Sequence, residues 1–482
     1  MKKFLSFAGF VLAALCCGSC QKTGTEPDEP ADPVPTVITL SAGSFSFGQA
    51  GGDVTLTVTA PVRPVLSGHP AWLTVTDGTF DRYTITYTLS AAPNPEYEVR
   101  KAELTVQAGT LSQKVALTQE AAEKPAEPES PSGPETPAEQ EIAASLTHPK
   151  PSAAAKNVYD FLRSQYGKKV LSGVQAGGTA NNNDHVDAIG KLTGKHPAVA
   201  GYDYLFLQYS PTPDSWDWKV NYGDFSAARE QWSENGLVSF MWHWNVPTSK
   251  EAWDKGVQEY DFSGYGFYCD QTNFDIRRAL TDGTWEHDFL LKDIEKVAGF
   301  LKLLQEEGIP VLWRPLHEAA GNYTLYGPNG AWFWWGKGGA DACKQLWKLL
   351  RDKLEGEYGL DNLIWVWTLD ATPGAESQYA DWYPGNDLVD IIGVDIYADD
   401  TAAKNRQYRA AVALSGGTKL TTVSECGNIP DPEKCLADRE GWSWFLAWSL
   451  DQNDFNLNTD TYWRKLMGSA SVLTREGMPN LK

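Results

Sequence analysis

The fold is most clearly indicated by residues 310–318, which read PVLWRPLHE. This stretch starts as an apolar run and ends in charged and polar side chains. A strand of this composition suits a parallel sheet, whose strands are buried on both faces. Seven other stretches beyond residue 147 share the apolar character: 170–176, 198–205, 237–245, 363–370, 390–397, 421–427 and 443–449. Together they predict eight parallel strands.

Helical patterns lie between most of these strands. The clearest spans 288–306, where apolar residues recur on one helix face, and a second spans 341–354. Eight strands alternating with helices predict a (β/α)₈ barrel over residues 147–482, with a doubly wound open sheet as the alternative. No Gly-rich phosphate loop follows any strand, which counts against nucleotide binding.

The first 35 residues have the pattern of an export and anchoring segment. Two lysines precede an apolar run at 4–15, which is too short to span a membrane. The residues before Cys20 resemble a bacterial lipobox, with Cys17 where Leu is usual. We therefore expect a signal peptide at 1–19, a lipidated Cys20 and an acidic, Pro-rich tether at 20–35. The protein would be exported and lipid-anchored to the outer membrane, at the cell surface or on the periplasmic face. An ordinary signal peptide cleaved nearby is the alternative.

Residues 36–120 carry strand signals throughout, because apolar residues alternate with Thr and turn residues separate the runs. They predict an all-β, Ig-like sandwich. The block resembles the BACON-type module of exported glycan-degrading proteins in Ala71-Trp72-Leu73, Arg100-Lys101-Ala102 and Gln119. That resemblance implies a spacer or a module that contacts glycan. Residues 121–146 alternate Pro with Glu, which predicts an extended linker.

Charge and composition exclude some classes of partner. The 482-residue chain carries 41 Lys and Arg against 62 Asp and Glu, a formal net charge of −21. A polyanion would be repelled, so we expect no nucleic-acid partner. Of its 20 Trp only Trp72 precedes residue 150, so the predicted barrel carries nearly all of these large rings. Such rings fill cores or line clefts.

The predicted barrel also contains four cysteines. Cys269, Cys343, Cys426 and Cys435 include no CxxC pair, so a structural zinc site is not expected. Cys426 could pair with Cys435 in an oxidising compartment, although sequence does not fix the connectivity.

Two carboxylates stand at C-terminal strand ends, where the chemistry of such barrels collects. Glu318 ends the fourth predicted strand and Glu425 lies at the end of the seventh. Retaining glycoside hydrolysis needs one carboxylic acid to protonate the leaving oxygen and one carboxylate to attack the sugar. Arg314 is a charged residue in an apolar strand, so it must be paired or functional. His317-Glu318 does not open a zinc motif, because Gly321 stands where a second His would be needed.

The barrel region resembles glycoside hydrolase family 26, whose best-known members are endo-β-1,4-mannanases. Two loosely matching strings are Trp242-His243-Trp244 and Gly201-Tyr202-Asp203-Tyr204. The closely matching strings, in chain order, are Arg314-Pro315-Leu316-His317-Glu318, Trp332-Phe333-Trp334-Trp335-Gly336, Gly393-Val394-Asp395-Ile396-Tyr397 and Ser424-Glu425-Cys426-Gly427. The resemblance implies a retaining hydrolase that acts on mannan, galactomannan or glucomannan. β-1,3-Xylan and mixed-linkage β-glucan are alternatives within the family, and a lipoprotein that only binds glycan is the alternative outside enzymes.

Carried over onto this sequence, the resemblance implies that Glu318 is the acid/base and Glu425 the nucleophile. The residues it places at the substrate are His243, Arg314, His317, Trp332, Trp335, Asp395, Tyr397 and Trp448. Among these, His317 would orient the acid/base, Tyr397 would support the nucleophile and Trp448 would stack under the sugar. The tryptophans could instead be core aromatics. Arg314 could close an interior ion pair, and His243, Asp395 and Tyr397 could be satisfied interior polar groups.

The sequence departs from the family pattern at residues 319–331, which look like an inserted loop before Trp332. Tyr323 and Tyr326 in this loop could add a sugar platform or block one end of the cleft, so internal and terminal cutting both stay open. No motif indicates a cofactor, a metal or an oligomer. We therefore expect a monomer that acts on a β-mannan without a cofactor or metal.

Overall fold

The computed structural model describes residues 33–94, 98–122, 141–177, 181–320, 332–370, 378–397, 401–451 and 458–482, with no side-chain detail at 401–403. It contains two compact units, Met1–Ser130 and Pro131–Lys482. The predicted signal peptide, Cys20 and the loop with Tyr323 and Tyr326 lie outside the described residues. Within the ranges given above, no helix is both long and apolar enough to cross a bilayer.

The first unit is a sandwich of two four-stranded sheets, which confirms the predicted all-β module. One sheet has the order β1-β3-β6-β5 and the other the order β2-β8-β7-β4. In chain order the strands are β1 (Thr39–Leu40), β2 (Ser44–Phe47), β3 (Gly52–Thr59), β4 (Val65–Ser67), β5 (Leu73–Asp77), β6 (Thr84–Ala91), β7 (Arg100–Ala108) and β8 (Leu111–Gln119).

Alternation of apolar and polar residues builds this sandwich, since every second side chain of a strand points to the same face. Leu56 and Val58 of β3 and Leu104 and Val106 of β7 are fully buried in its core. Trp72 packs against that core with its ring 6.4 Å from Phe47, and the Arg100 guanidinium lies 5.2 Å from the ring centroid. Trp72 is therefore a half-buried residue that packs against the core, and the Arg100 guanidinium covers one face of its ring.

The second unit is a closed barrel of eight parallel strand positions, which confirms the (β/α)₈ prediction. Val174 pairs with Ala447 and closes the ring. The first position is split into β9 (Val170–Leu171) and β10 (Gly173–Gln175). The others are β11 (Val199–Asp203), β12 (Leu237–Met241), β15 (Val311–Arg314), β16 (Leu363–Asp370), β17 (Ile391–Ile396), β18 (Leu420–Cys426) and β19 (Trp442–Ala447). A short β13 (Val246–Pro247) pairs with β14 (Tyr265–Gly266), and β20 (Val472–Leu473) pairs with β9.

Helices follow the strands and cover the barrel. They are α1 (Ala153–Gln165), α2 (Asp184–Thr193), α3 (Ser226–Ser233), α4 (Lys250–Lys255), α5 (Ile276–Ala279), α6 (Trp285–Glu306), α7 (Ala340–Arg351), α8 (Tyr379–Trp382), α9 (Thr401–Leu414), α10 (Pro432–Ala437) and α11 (Asp460–Gly468). The predicted helix at 288–306 corresponds to α6, which starts earlier because the Thr284 hydroxyl caps it by accepting from the His287 N–H. The predicted helix at 341–354 corresponds to α7, which continues as a π-turn over Asp352–Glu357.

Two local expectations differ from the structure. The predicted linker runs to residue 146, but Ile142 and Leu146 pack against the barrel core, and the Ala143 N–H donates to the Thr418 carbonyl at 2.9 Å. Its last residues are apolar, unlike the Pro- and Glu-rich part, so they bury. The second difference concerns the suggested pair of Cys426 with Cys435, because both are free, buried thiols, as is Cys343.

Candidate active site

Glu425 is held inside a strand. It is the sixth residue of β18 and lies opposite Asp395 of β17, where a register irregularity begins between Val394 and Asp395. A bulge lets neighbouring residues of one strand serve the same point on the partner strand. As a result Glu425 and Ser424 both face Asp395, and the Ser424 hydroxyl donates to Asp395 Oδ1 at 2.7 Å.

Arg314, the last residue of β15, lies between these carboxylates. Its Nη1 donates to Asp395 Oδ2 at 2.7 Å and its Nη2 donates to Glu425 Oε2 at 2.6 Å. A further contact runs from Nη2 to Met241 Sδ at 2.9 Å. Arg314 is only 4% exposed and Asp395 is 0% exposed. Two carboxylates thus engage the Arg314 guanidinium, and the geometry matches the interior ion pair weighed as the alternative for Arg314.

Glu318 is reached by an irregular turn rather than a strand. It lies four residues after β15 ends, and both Leu316 and Glu318 have a φ of 51°. Non-glycine residues in this left-handed region carry strain of order 1 kcal/mol, which the surrounding packing must hold. The Glu318 N–H donates to the Thr368 carbonyl of β16 at 3.3 Å. The turn places the Glu318 side chain in the barrel mouth beside the two strand-borne carboxylates.

The three carboxyl groups form one cluster. One oxygen each from Glu318, Asp395 and Glu425 lie within 4.8 Å of one another. Burial raises the pKa of Glu318 well above its ordinary value, and the charges of Asp395, Asp370 and Glu425 raise it further, against the opposing effect of Arg314. Burial also raises the pKa of Asp395 to about 7, although Arg314 opposes this. A protonated Glu318 is thus the natural state of the cluster near neutral pH.

The Arg314 side chain supplies a positive charge to this carboxyl cluster. Three carboxyls within one small volume could in principle hold a metal ion. The Arg314 guanidinium, however, donates to two of the three at 2.6 and 2.7 Å. Burial alone would lower the pKa of Arg314, but Asp395 and Glu425 outweigh it and raise that pKa. A permanent positive charge therefore occupies the place between Asp395 and Glu425.

Tyr397 contacts the other oxygen of Glu425. Its hydroxyl donates to Glu425 Oε1, while Arg314 contacts Oε2. Burial and then the charge of Glu425 raise the pKa of Tyr397, so the hydroxyl keeps its proton and acts as a donor. Both oxygens of Glu425 are therefore hydrogen-bonded, which fixes the orientation of this carboxyl group.

Two histidines form a chain that starts at Asp203. The Asp203 carboxylate accepts from the His243 N–H at 3.0 Å and from His243 Nδ1 at 2.6 Å. His243 Nε2 lies 3.3 Å from His317 Nε2. His317 is 1% exposed, and burial lowers its pKa well below the ordinary value, so it is neutral. The sequence predicts both histidines at the substrate; His317 is the more deeply buried, at 1% exposed, whereas the His243 side chain is 13% exposed.

The three tryptophans predicted at the substrate have different settings. Trp332 is half-buried and its Nε1 donates to Glu318 Oε2 at 3.0 Å. Trp335 is fully buried and its Nε1 donates to the His317 carbonyl at 2.9 Å, so it holds the turn that carries Glu318. Trp448 is half-buried just after β19, with its ring 5.9 Å from His243. Trp332 and Trp448 expose ring surface, whereas Trp335 is packing.

The comparisons with known proteins agree with this geometry. A model of glycosyl hydrolase family 26 matches residues 147–477. This chain belongs to glycosyl hydrolase family 26. The N-terminal residues 65–120 match the BACON model, described as a putative binding domain, so both resemblances seen in the sequence are confirmed.

Relatives within family 26 share about a third of the residues. A mannan endo-1,4-β-mannosidase of Thermothelomyces thermophilus is 37% identical over 318 residues, which are 64% of this chain and 58% of that protein. The chain thus spans little more than half the length of that relative. Among solved structures, the family 26 domain of an endo-β-mannanase/endo-β-glucanase from Prevotella bryantii is 36% identical with a TM-score of 0.62, covering 70% of this chain and 99% of that one. A β-mannanase from a symbiotic protist of the termite Reticulitermes speratus, solved with a gluco-manno-oligosaccharide, is 33% identical with a TM-score of 0.59, covering 71% and 99%.

Two residues of this family 26 site were not among the candidates drawn from sequence. Asp203 ends β11, so the criterion that selected Glu425, a carboxylate at a strand end, would also have selected it. Tyr268 has a ring 6.3 Å from that of Trp332, and it lies in a loop that carries neither strand nor helix periodicity. Sequence pattern gives no signal for a residue of that kind.

Proposed function

We propose that this family 26 chain hydrolyses β-1,4-mannosidic linkages in mannan, galactomannan or glucomannan with retention of anomeric configuration. One observation supports the stereochemistry above all. Oxygens of Glu318 and Glu425 lie within 4.8 Å of each other. Retaining glycosidases hold their carboxyl groups about 5–5.5 Å apart, whereas inverting ones need roughly 6.5–9.5 Å to admit a water.

The proposed reaction has two displacements. In the first, Glu425 attacks the anomeric carbon while Glu318 donates its proton to the glycosidic oxygen, so the departing sugar leaves with a hydroxyl. In the second, a water loses its proton to Glu318 and attacks the same carbon, which frees Glu425 and restores the protonated acid. The raised pKa of Glu318 and the hydrogen bonds to both oxygens of Glu425 support this division of roles.

The substrate assignment is supported by relatives and by ring surface. The curated relative and the two solved structures described above carry mannanase names. Trp332 donates to Glu318, and the Trp448 N–H donates to the carbonyl of Cys426, next to Glu425; both tryptophans are half-buried, and sugars bind to such flat apolar faces. We propose that His243, whose ring lies 5.9 Å from that of Trp448, contacts the sugar whose linkage is cut.

The deciding experiment follows the product by proton NMR during digestion of mannopentaose. The β-anomer should appear first and then mutarotate, and initial release of the α-anomer would overturn retention.

Glu425→Ala should lower turnover by at least about 10⁴-fold, because it removes the nucleophile. Near-normal turnover by this variant would remove Glu425 from that role.

A polysaccharide panel tests the substrate class. Linear mannan, galactomannan and glucomannan should release reducing sugar, while β-1,3-xylan and mixed-linkage β-glucan should release far less. Faster release from either of the last two would replace the mannan assignment. Binding of mannan without any hydrolysis at high protein concentration would favour a glycan-capturing protein instead.

We further propose that Cys20 carries the lipid that anchors the chain to the outer membrane. The supporting features are the apolar run at 4–15, the small residues before Cys20 and the acidic tether after it. In a bacterial host fed a labelled fatty acid, the wild-type chain should take up label and fractionate with membranes. Cys20→Ser should take up none and be released, and labelling of that variant would place the lipid elsewhere.

A further inference from the structure

Tyr268 presents a fixed aromatic face beside the acid/base. It follows β14 and is 37% exposed. Its ring stacks on Phe333 at a centroid distance of 5.6 Å and an interplanar angle of 20°. The same ring meets Trp332 edge-on, at 6.3 Å and 81°. Tyr268 and Trp332 therefore make two walls of one angular aromatic surface.

The backbone holds this surface in place without any substrate. Tyr268 and Phe333 form an antiparallel bridge. The Cys269 N–H donates to the Trp332 carbonyl at 2.8 Å, and the Trp334 N–H donates to the Phe267 carbonyl at 3.0 Å. The two segments that carry the rings are thus tied together on both sides. A surface fixed in this way loses little conformational entropy when a ligand binds.

The position of this surface relative to the two carboxyls shows which sugar it would meet. Trp332 Nε1 contacts Glu318, whereas Glu425 is contacted by Arg314 and Tyr397. The acid protonates the oxygen that departs, so groups on the Glu318 flank lie along the departing part of the chain. Partial burial and then the charges of Glu318 and Asp270 raise the pKa of Tyr268, consistent with a hydroxyl near the acid.

We propose that Tyr268 is a specificity-determining residue whose ring, together with Trp332, binds the sugar on the leaving-group side of the scissile bond. This inference rests on the proposed retaining hydrolysis. The Tyr268 ring would contact the departing sugar, and a leaving group that is not a sugar would not make this contact. The contribution of Tyr268 is therefore separable from that of the carboxyl pair.

Two substrates that share the glycosyl part and differ in the leaving part make the test. The leaving group of β-mannobiosyl fluoride is a single fluoride ion, whereas the leaving group of mannopentaose is a sugar chain. Tyr268→Ala should lower kcat/KM for mannopentaose about tenfold, as expected for the loss of one aromatic contact. Its kcat/KM for the fluoride should stay within about twofold of wild type, because fluoride makes no aromatic contact. The variant should also transfer less mannosyl to a mannobiose acceptor, relative to transfer to water.

Matched variants keep the test decisive. Tyr268→Phe keeps the ring and should retain most of the mannopentaose activity. Phe262→Ala removes another exposed ring, which precedes β14 and is 44% exposed, and should change the activity on neither substrate. Equal loss on both substrates, or no loss on either, would overturn the role of Tyr268 while leaving retention untouched. If the wild-type enzyme did not hydrolyse β-mannobiosyl fluoride at all, that result would instead count against the proposed function.

Discussion

The two carboxyls at the barrel mouth are placed in different ways. Glu425 lies within β18 and has charged or polar partners on both oxygens, Arg314 and Tyr397. Glu318 lies beyond the end of β15, in a turn with left-handed backbone, and its Oε2 accepts from the indole of Trp332. Regular structure and a fixed cation hold the group that must stay ionised. A strained turn and dry aromatic packing hold the group that must stay protonated.

The difference shows how one small cluster supports two opposite protonation states. Above about pH 7, where Asp395 is ionised, a protonated Glu318 leaves the cluster with about one net negative charge, because Asp395 and Glu425 share a single guanidinium. Ionising Glu318 would add a second negative charge within 4.8 Å of the others. Two like charges at that distance in a buried site disfavour each other strongly, so the proton stays on Glu318.

Among the groups that support the two carboxyls, the largest expected effect comes from removing the cation beside Glu425. Arg314→Met should lower kcat by about 10²–10³-fold, because Glu425 and Asp395 lose the charged donor that holds them in position. It should also lower the free energy of unfolding by about 3–5 kcal/mol, since two buried carboxylates are left unpaired. Kinetics on mannopentaose and urea denaturation measure these two quantities.

The matched control is Arg277→Met, since Arg277 is exposed and donates to the Gly338 carbonyl at 2.7 Å. It should change neither turnover nor stability appreciably. If Arg314→Met kept wild-type turnover, the ion pairs around Glu425 would not be what holds it ready for attack.

On the Glu318 side, the expected effect is smaller because the support is indirect. Asp203→Asn should lower kcat by about 10–100-fold, since an amide cannot accept from both the His243 N–H and Nδ1 and the ring then shifts. We expect little change in the free energy of unfolding relative to Arg314→Met. Steady-state kinetics with mannopentaose measures the loss.

Asp254→Asn serves as the control for this variant, because the Asp254 carboxylate is exposed and paired with Lys250. Removing an exposed pair costs at most about 1 kcal/mol, so turnover should hold. Unchanged kcat in Asp203→Asn would show that the histidine chain does not position any group that touches the sugar.

The strand-borne part of the site could be predicted from sequence to a large extent. The apolar runs predicted all eight barrel positions because parallel strands bury both faces. The apolar run predicts one strand over 310–318, whereas β15 ends at Arg314. Pro315 cannot donate to the ladder, and Leu316 then turns into the left-handed region, so the last four residues form a turn.

The part that sequence could not predict consists of contacts between loops. Glu318 and Trp332 are separated by a stretch outside the described residues, yet they share a hydrogen bond. The aromatic surface of Tyr268 arises only when two loops pair through Cys269 and Trp332. Such contacts depend on tertiary geometry and leave no periodic pattern in the chain. The pairing of the Arg314 guanidinium with Asp395 and Glu425, which gives it a positioning role, also appears only in three dimensions.

The smallest expected effect comes from substituting Asp395, which lies close to both Glu318 and Glu425. Its negative charge is the second cause, after burial, of the raised pKa of Glu318. Asp395→Asn removes that charge, so Glu318 should lose its proton more easily. The alkaline limb of kcat/KM should therefore move down by about one pH unit.

Stability should change with pH in the same variant. In the wild type, the pKa of Asp395 is raised from 3.8 to about 7 in the folded protein. Its contribution to stability is therefore complete below about pH 4 and is lost as pH rises through 7. Asn does not titrate, so the Tm of the variant should fall less between pH 4 and 7.

Ser424→Ala is the control for the kinetic measurement. It removes only the hydrogen bond to Asp395 and keeps the charge, so the alkaline limb of kcat/KM should stay in place. An alkaline limb that did not move in Asp395→Asn would mean that burial, rather than the neighbouring charge, keeps Glu318 protonated, and the two sides of the site would then be electrostatically independent.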